Sequence, residues 1–259
     1  MVIKSLYDLL SKNGINAGDS ICIFSDVSKF PIPESIKQEV KDLGVEKLLK
    51  SYIDTFKELV GKDGLLIMPT FTYSPMRSEI YNPDYSKSRV GVLTEYFRKS
   101  DSVERSSHPI FSFACWGSES IKFLKLENFH CFGDRSLFGK MYNMRTKYIL
   151  FGVNIQLGAT FIYYSLEKNN VYYRYNKSFT SKIKIGNKSF EKKVKYFVRD
   201  LSLKYKDDWH GLEKLSIKRG ICKSIKYNKG RILITSSNEI DTLIQSQLNV
   251  DKDYLIKKY

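Results

Sequence analysis

Hydroxyl side chains are concentrated in two short segments that each follow an apolar run. Ser25-Asp26-Val27-Ser28 follows the first run, and Thr70-Phe71-Thr72-Tyr73-Ser74 follows a second run that ends at Pro69. Hydroxyl and backbone N–H groups at such turns could cap a helix and receive an anionic ligand. The same residue types are common in ordinary turns, so neither segment alone establishes a binding site.

A third segment combines a cation, hydroxyls and an imidazole. It reads Arg105-Ser106-Ser107-His108-Pro109 and leads into an apolar strand that contains Ser112. Arginine forms strong charge-assisted bonds to anions, and histidine is the commonest acid–base residue. A histidine beside a proline is nevertheless more often a hydrogen-bonded structural residue. A fourth segment, Gly158 to Tyr164, has small residues that open an aromatic helix, for which helix packing is the simplest explanation.

The segments that must position these residues alternate between helices and buried strands. Helical spacing of apolar residues predicts helices over 3–13, 45–60 and 92–99, and continuous apolar runs predict strands over 20–24, 65–68 and 149–153. Strands that are apolar on both faces indicate a sheet covered on each side. Ligand sites in such sheets lie at strand ends, where the hydroxyl-rich turns stand.

The pattern changes from Phe179 onward. The residues predict a hairpin over 181–190 with Gly186-Asn187 at its turn, a helix over 209–218, and strands over 222–227 and 231–235. No proline-rich or serine-rich linker precedes this part. We therefore expect one domain over 1–259, with an α+β C-terminal elaboration over 179–259.

The composition excludes several classes of protein. With 42% hydrophobic and 14% aromatic residues, the chain is too apolar to be disordered. No apolar run approaches the roughly 18 residues of a membrane span, and Lys4 and Asp8 interrupt the N-terminal run, which is unlike a secretory signal. We expect a cytoplasmic location. The four cysteines lack the paired spacing of a zinc site, so we expect buried thiols and no metal.

The net charge of +15 is the one unusual bulk property. Such a surface attracts nucleic acid, an acidic membrane face or a phosphorylated small molecule. A bias toward Lys, Asn, Ile and Tyr explains the charge without any such partner, and no nucleic-acid-binding motif accompanies it. We therefore expect no nucleic-acid partner.

Short motifs occur along the chain in a characteristic order. They are Gly18-Asp19, Ser25-Asp26, Met68-Pro-Thr-Phe-Thr-Tyr-Ser74, Ser88-Arg-Val-Gly91, Glu95-Tyr-Phe-Arg98, Arg105-Ser-Ser-His-Pro109, Ser112-Phe-Ala114, Gly117, Phe151-Gly-Val153, Thr160 and Tyr173-Arg174. In this order they resemble the aminoglycoside 3-N-acetyltransferase family over nearly the whole chain. Residues 171–177 and Val198-Arg199-Asp200 look more like the branch associated with surface-polysaccharide gene products.

The resemblance implies a three-layer α/β fold, with a mixed central sheet flanked by helices, and transfer of an acyl group from coenzyme A to a primary amine on a sugar. It implies a donor channel formed by Ser25, Asp26, Thr70, Phe71, Thr72, Arg105, Ser106 and Ser112. The residues expected to approach the acceptor are Tyr73, Asp134, Ser136, Tyr164 and Arg174.

One departure from the family pattern concerns the general base. The family reads Thr-x-x-His-x-x-Glu, whereas this chain has Tyr163 in place of the histidine and Leu166 in place of the glutamate. Glu167 lies one place further and is expected to face elsewhere on a helix. A phenol with a pKa near 10 is a poor base at neutral pH.

Three explanations of this departure stay open. Catalysis could need no strong side-chain base and rely on positioning an amine that is already neutral and on stabilising the oxyanion. Alternatively, His108 is the base, oriented by Asp26. Finally, the chain could be an inactive relative, although the residues expected on the thioester side are present.

The sequence thus predicts an acyl-CoA-dependent N-acyltransferase that acts on an amino sugar, nucleotide-linked, in surface glycan biosynthesis. Aminoglycoside 3-N-acetylation in antibiotic resistance is the first alternative, and a non-catalytic basic polyanion-binding protein is the second. A homodimer is a further possibility. In this hypothesis the turns around Ser25, Thr70 and Ser106 converge on the thioester.

Overall fold

The computed structural model describes residues 1–259 as a mixed seven-stranded sheet between two layers of helices. The strands are β1 (Ser20–Ser25), β2 (Leu65–Pro69), β3 (Glu104–Arg105), β4 (Phe113–Trp116), β5 (Lys147–Phe151), β6 (Arg174–Ile185), β7 (Lys188–Arg199), β8 (Tyr205–Asp207), β9 (Cys222–Tyr227), β10 (Gly230–Ser236) and β11 (Ile256–Lys258). The helices are α1 (Lys4–Lys12), α2 (Lys37–Leu43), α3 (Val45–Val60), α4 (Val92–Arg98), α5 (Ser120–Leu124), α6 (Leu137–Asn143), α7 (Ile155–Gly158), α8 (Ile162–Lys168), α9 (His210–Lys218) and α10 (Ser237–Val250).

The central sheet has the strand order β3-β4-β2-β1-β5-β10-β9. Strand β1 is parallel to both of its neighbours, β2 and β5, whereas every other pair in this sheet is antiparallel. The carboxyl ends of β2, β1 and β5 therefore lie side by side at one edge. This edge is where a covered sheet holds its ligands.

Two hydrophobic cores lie on opposite faces of the sheet, as expected for three layers. Alternate residues of β1 enter different cores, Cys22 and Phe24 on one face and Ile21 and Ile23 on the other. Helices α1 to α4 pack on the second face, and α5, α6, α8, α9 and α10 pack on the first. The predicted fold class is confirmed, and the four cysteines are buried and unpaired.

The C-terminal part is integrated into the sheet more fully than the sequence indicates. Strands β9 and β10 extend the central sheet beyond β5. The predicted hairpin is longer than expected, because β6 and β7 pair over twelve positions each and form a separate two-stranded sheet. Strand β6 also forms a bridge between Ile183 and Tyr81, and β7 forms one between Lys195 and His130.

None of the helices combines the length and the apolar character that crossing a bilayer requires.

Candidate active site

The carboxyl ends of β1 and β2 place Ser25 beside Thr70. Ser20 is paired with Leu65 and Cys22 with Ile67, and the same register continued along both strands brings Ser25 opposite Thr70. The backbone of Gly91 closes over this point, since a Cβ there would stand 3.5 Å from the Ser25 carbonyl oxygen. The Ser25 hydroxyl is buried and has no hydrogen-bond partner, so it is free to bond a ligand at this edge.

Arg105 holds this edge together through hydrogen bonds to the end of β2 and to the loop over 83–86. Its guanidinium donates to the carbonyl oxygens of Thr70 (2.6 Å), Pro83 (3.0 Å) and Ser86, and its Nε donates to the Thr70 hydroxyl (3.0 Å) and, at 3.3 Å, to that of Ser112. Four of its five N–H groups are thereby bonded to the protein itself. The expected direct contact of Arg105 with the donor is therefore not supported. Arg105 instead fixes the loop over 83–86 against the end of β2.

The hydroxyls of Thr70, Thr72, Ser106 and Ser112 are likewise bonded internally. Ser112 donates to the Thr70 carbonyl oxygen (2.6 Å), Thr72 donates to the Pro109 carbonyl oxygen (2.7 Å), and Ser106 accepts from the Phe113 amide (3.1 Å). The structure brings the predicted turns together, but among these hydroxyls only that of Ser25 has no partner. The predicted donor residue Phe71 is a core residue, stacked edge-on against Phe111, Phe113 and Tyr73.

Asp26 and His108 do not form the predicted pair. The Asp26 carboxylate accepts from the amide (3.1 Å) and hydroxyl (2.6 Å) of Ser28 and caps the turn after β1. The Nδ1 atom of His108 accepts from the amides of Ile110 (3.3 Å) and Phe111 (3.0 Å). The prediction that Asp26 orients His108 is therefore wrong, because Nδ1 accepts from backbone amides and has no proton to donate to a carboxylate, and Nε2 has no hydrogen-bond partner.

Burial keeps the His108 imidazole neutral. Removal from water lowers the pKa of His108 to about 3, with a smaller contribution from His130. Since Nδ1 accepts two hydrogen bonds, the ring proton is on Nε2, which is buried without a partner. A nitrogen that already carries the proton cannot accept one from a substrate, so the geometry does not favour His108 as the base.

A groove of about 920 Å³ lies between α3 and α4 and reaches the edge of the sheet at Gly91. Its wall carries five basic residues against four acidic ones. The basic residues are Lys50, Lys57, Lys87, Arg89 and Lys99, and the acidic ones are Glu46, Asp54, Glu95 and Asp101. Two of these carboxylates, Asp54 and Glu95, are already paired with cations.

A second, smaller cavity of about 180 Å³ has wall residues from the segments that follow β2 and β5. It is lined by Tyr73, Phe111, Gln156, Leu157, Ala159, Thr160, Tyr163, Tyr196 and Trp209. Phe161, at the start of α8, contacts Phe24 of β1 with ring centroids 5.7 Å apart. The helix that carries Tyr163 is thereby seated against the strand that carries Ser25.

Tyr163 belongs to a buried polar cluster with Asp207 and Arg174. The Tyr163 hydroxyl donates to Asp207 Oδ2 (3.2 Å), and the Arg174 guanidinium donates to the same oxygen (2.7 Å) and stacks over the Tyr163 ring at 4.2 Å. Asp207 Oδ1 and Arg174 Nε are buried without partners. Burial and the Asp207 charge raise the pKa of Tyr163, so the hydroxyl is protonated at neutral pH.

The other predicted acceptor residues are divided between two places. Tyr73 lines the cavity, whereas Tyr164 lies outside it and donates to Asp134 at 3.4 Å. Ser136 is buried and caps α6 through the Gly139 amide (3.2 Å). The structure therefore gives Ser136 a local structural role and brings Tyr164 and Asp134 together away from the cavity.

The sequence did not single out two residues of this site, Asp207 and Trp209. The Glu167 carboxylate is 2.6 Å from His130 Nε2, and neither Glu167 nor His130 lines the cavity. Asp207 and Trp209 lie more than forty residues beyond Tyr163, and nothing in the local sequence connects them.

A family model described as aminoglycoside 3-N-acetyltransferase matches residues 38–248. The chain belongs to this family. Among curated proteins, the chain is similar to the SPbeta prophage-derived aminoglycoside N(3')-acetyltransferase-like protein YokD of Bacillus subtilis (strain 168), with 36% identity over 84 residues. That match covers 31% of this chain and 29% of YokD.

Solved structures share the fold of this family member over nearly their whole length. The crystal structure of YokD gives a TM-score of 0.74 at 18% identity and covers 95% of this chain and 98% of its own. AAC-IIIb, in a binary complex with CoASH, gives 0.79 at 15% identity with coverage of 96% and 97%. AAC-VIa bound to sisomicin gives 0.77 at 14% identity with coverage of 95% and 97%.

Proposed function

We propose that this member of the aminoglycoside 3-N-acetyltransferase family transfers an acetyl group from acetyl-CoA to a primary amine of an aminoglycoside-type amino sugar. Family membership supports the reaction class, and AAC-IIIb bound to CoASH supports the donor. The relatives carry aminoglycoside names and one holds sisomicin, which favours an aminoglycoside over the nucleotide-linked amino sugar predicted from the sequence. The glycan substrate and the homodimer stay predictions.

The observation that carries the proposal is that two concave sites each have wall residues close to the end of β1. A Cβ at Gly91 of the groove would stand 3.5 Å from the Ser25 carbonyl oxygen, and Thr160 of the cavity directly precedes Phe161, whose ring contacts Phe24. Acyl transfer to an amine needs a donor and an acceptor whose reacting atoms touch, so two adjoining sites suit it better than one.

The groove suits the donor. Its volume falls within the range of about 300–1,000 Å³ that is typical of ligand sites. Lys57, Lys87 and Arg89 line it, and phosphate groups bind such cations through charge-assisted hydrogen bonds. Ser25 offers its unpartnered hydroxyl to the thioester end of the donor.

The cavity suits one ring of the acceptor. A cavity of about 150 Å³ holds a benzene molecule, so 180 Å³ accommodates a single six-membered ring and leaves the rest of a larger amino sugar outside. Its aromatic wall of Tyr73, Tyr163, Tyr196 and Trp209 can pack on a sugar face and attract an ammonium group.

The direct test combines CoA binding with thiol release from acetyl-CoA. We expect the protein to bind CoA and to release free thiol with at least one of gentamicin, apramycin and sisomicin, the compounds held by structures of the fold. A nucleotide-linked amino sugar is assayed in parallel. Release with that substrate alone would restore the glycan function, and absence of both CoA binding and thiol release would exclude an acyltransferase.

The variant Ser25→Ala examines the donor side, with Ser202→Ala as the matched control. The Ser202 hydroxyl is exposed and bonds only Asp200, so its loss should leave CoA binding unchanged. Loss of one hydrogen bond to the donor, about 1 kcal/mol, should weaken CoA binding by roughly fivefold in Ser25→Ala. Steeply salt-dependent binding of polyanions together with indifference to CoA would instead support the non-catalytic alternative.

A further inference from the structure

The acceptor amine must lose a proton during acyl transfer, and no histidine lines the cavity. We propose that Tyr163 and Asp207 form a relay that accepts this proton, in which Tyr163 touches the amine and Asp207 is the final acceptor. This inference rests on the proposed function, because it requires a thioester donor and an amine in the cavity.

Tyr163 lines the cavity, and its hydroxyl can accept a hydrogen bond as well as donate one. A hydroxyl has one proton and two lone pairs, and the Tyr163 proton is committed to Asp207 at 3.2 Å. The oxygen can therefore receive an N–H from an amine bound in the cavity that Tyr163 lines. Contacts with Trp209 (5.3 Å between ring centroids) and with Phe132 (5.5 Å) hold the Tyr163 ring in place.

Asp207 has the capacity to receive a proton. Only its Oδ2 is hydrogen-bonded, and Oδ1 is buried with no partner. The Asp207 side chain is 18% exposed and its partner Arg174 is 4% exposed, so the two form a shielded ion pair. Arg174 bonds only Oδ2, so Oδ1 is left as the position that can take a proton.

The backbone around Asp207 connects it to the cavity wall. The Gln156 side-chain amide donates to the Asp207 carbonyl oxygen (3.2 Å), and the Trp209 amide donates to the Gln156 side-chain oxygen (2.7 Å). Gln156 and Trp209 both line the cavity. The main chain that carries the Asp207 carboxylate is thus held by residues that enclose the cavity.

The neutral amine nitrogen attacks the thioester carbonyl carbon, a C–N bond forms, and the nitrogen becomes strongly acidic as it does so. Its proton passes to the Tyr163 oxygen while the Tyr163 proton passes to Asp207, so no free phenolate is formed. The C–S bond then breaks and coenzyme A leaves as the thiolate. Asp207 releases its proton to solvent and the thiolate takes one from solvent, which gives the free thiol and restores the carboxylate.

The decisive experiment is a double-mutant cycle with Tyr163→Phe, Asp207→Asn and both together. Thiol release is followed with acetyl-CoA and whichever of gentamicin, apramycin and sisomicin reacts fastest. We expect each single variant to lose at least a hundredfold in kcat, the lower bound of a typical general-base effect, with the double variant within about threefold of the worse single variant. Two residues that act independently would instead show losses that multiply.

Matched controls come from carboxylate and tyrosine residues outside the cluster. Tyr172→Phe removes a similar hydrogen bond to Asp253 (2.6 Å) at the surface, and Asp208→Asn removes the adjacent carboxylate. Both should retain wild-type kcat. CoA binding, measured by calorimetry, reports whether each variant is folded.

Tyr163→Phe is also informative alone, because it leaves the Asp207–Arg174 ion pair intact. When kcat is measured in mixtures of H₂O and D₂O, its dependence on the D₂O fraction should indicate two protons in transfer for the wild type. The variant should not show this two-proton dependence. Losses below tenfold in Tyr163→Phe, or a wild-type rate that depends on one proton, would overturn the relay while the acyltransferase function stands. A wild-type protein that neither binds CoA nor releases thiol would overturn the function itself.

Discussion

Replacing Arg105 by lysine distinguishes a guanidinium that holds the fold from one that binds the donor. Arg105 donates to three main-chain carbonyl oxygens, on Thr70, Pro83 and Ser86, that point toward it from different directions. A lysine ammonium is a single point with three donors and cannot span them. We expect at least two of these charge-assisted bonds to be lost.

The expected cost follows from those bonds. Hydrogen bonds to a charged group contribute about 1.5–3 kcal/mol each, so Arg105→Lys should lower the free energy of unfolding by about 3–6 kcal/mol. With a urea dependence of about 3 kcal/mol per molar for a chain of this size, the unfolding midpoint should fall by about 1 to 2 M. Circular dichroism during urea titration measures this directly.

Arg77→Lys is the matched control, since Arg77 is half-exposed and pairs with Glu79 at the surface. Its midpoint should change by less than that of Arg105→Lys, because exposed pairs contribute about 0–1 kcal/mol. An Arg105→Lys variant with an unchanged midpoint and a CoA affinity reduced tenfold or more would refute this reasoning. That result would support the direct contact of Arg105 with the acyl donor that the sequence predicted.

Three further predictions concern His108, the cavity and His130. The pKa of His108 is about 3 in the folded chain against 6.5 for the free group, so protonation favours the unfolded state. The free energy of unfolding should therefore fall below pH 6.5 by up to about 1.4 kcal/mol per pH unit. In thermal unfolding, the unfolding temperature of His108→Asn should depend less on pH than that of the wild type. Trp209→Leu should raise KM for the acceptor about tenfold through loss of aromatic packing. If the affinity for CoA changed as well, the assignment of this cavity to the acceptor would be contradicted. Gly133→Ala would place a Cβ 2.3 Å from His130 Nδ1 and should lower the free energy of unfolding by about 1–3 kcal/mol in urea titration; an unchanged midpoint would mean that the imidazole moves freely.

The sequence predicted the central strands and the long helix well because their signals are local. The strands expected over 20–24 and 65–68 match β1 and β2 within a residue, and the helix expected over 45–60 matches α3. Helix α10 was missed although Ile240, Leu243, Ile244 and Leu248 have helical spacing and are buried. The predicted hairpin was shorter than the observed one, because exposed lysines interrupt the alternation of apolar residues in β6 and β7.

The candidate site could be predicted only in part, because its partners are distant in sequence. The motif around Arg105 was recognised, but the carbonyl oxygens that occupy its guanidinium belong to a loop some twenty residues earlier. Tyr163 was recognised as the departure from the family pattern, yet its partner Asp207 comes from another strand. Residue types show which side chains could bind a ligand or transfer a proton, whereas the tertiary fold decides which of them are already hydrogen-bonded to the protein itself.

The hairpin of β6 and β7 makes several remote features depend on one pairing register. Ile183 bridges Tyr81, whose hydroxyl bonds the Ser106 carbonyl oxygen, while Lys195 bridges His130, and Arg174 stands at the base of β6. A slip of one residue would turn every side chain of a strand to the opposite face. Extra residues at the tip around Gly186 would disturb none of these contacts, so the tip can vary in length while the base cannot.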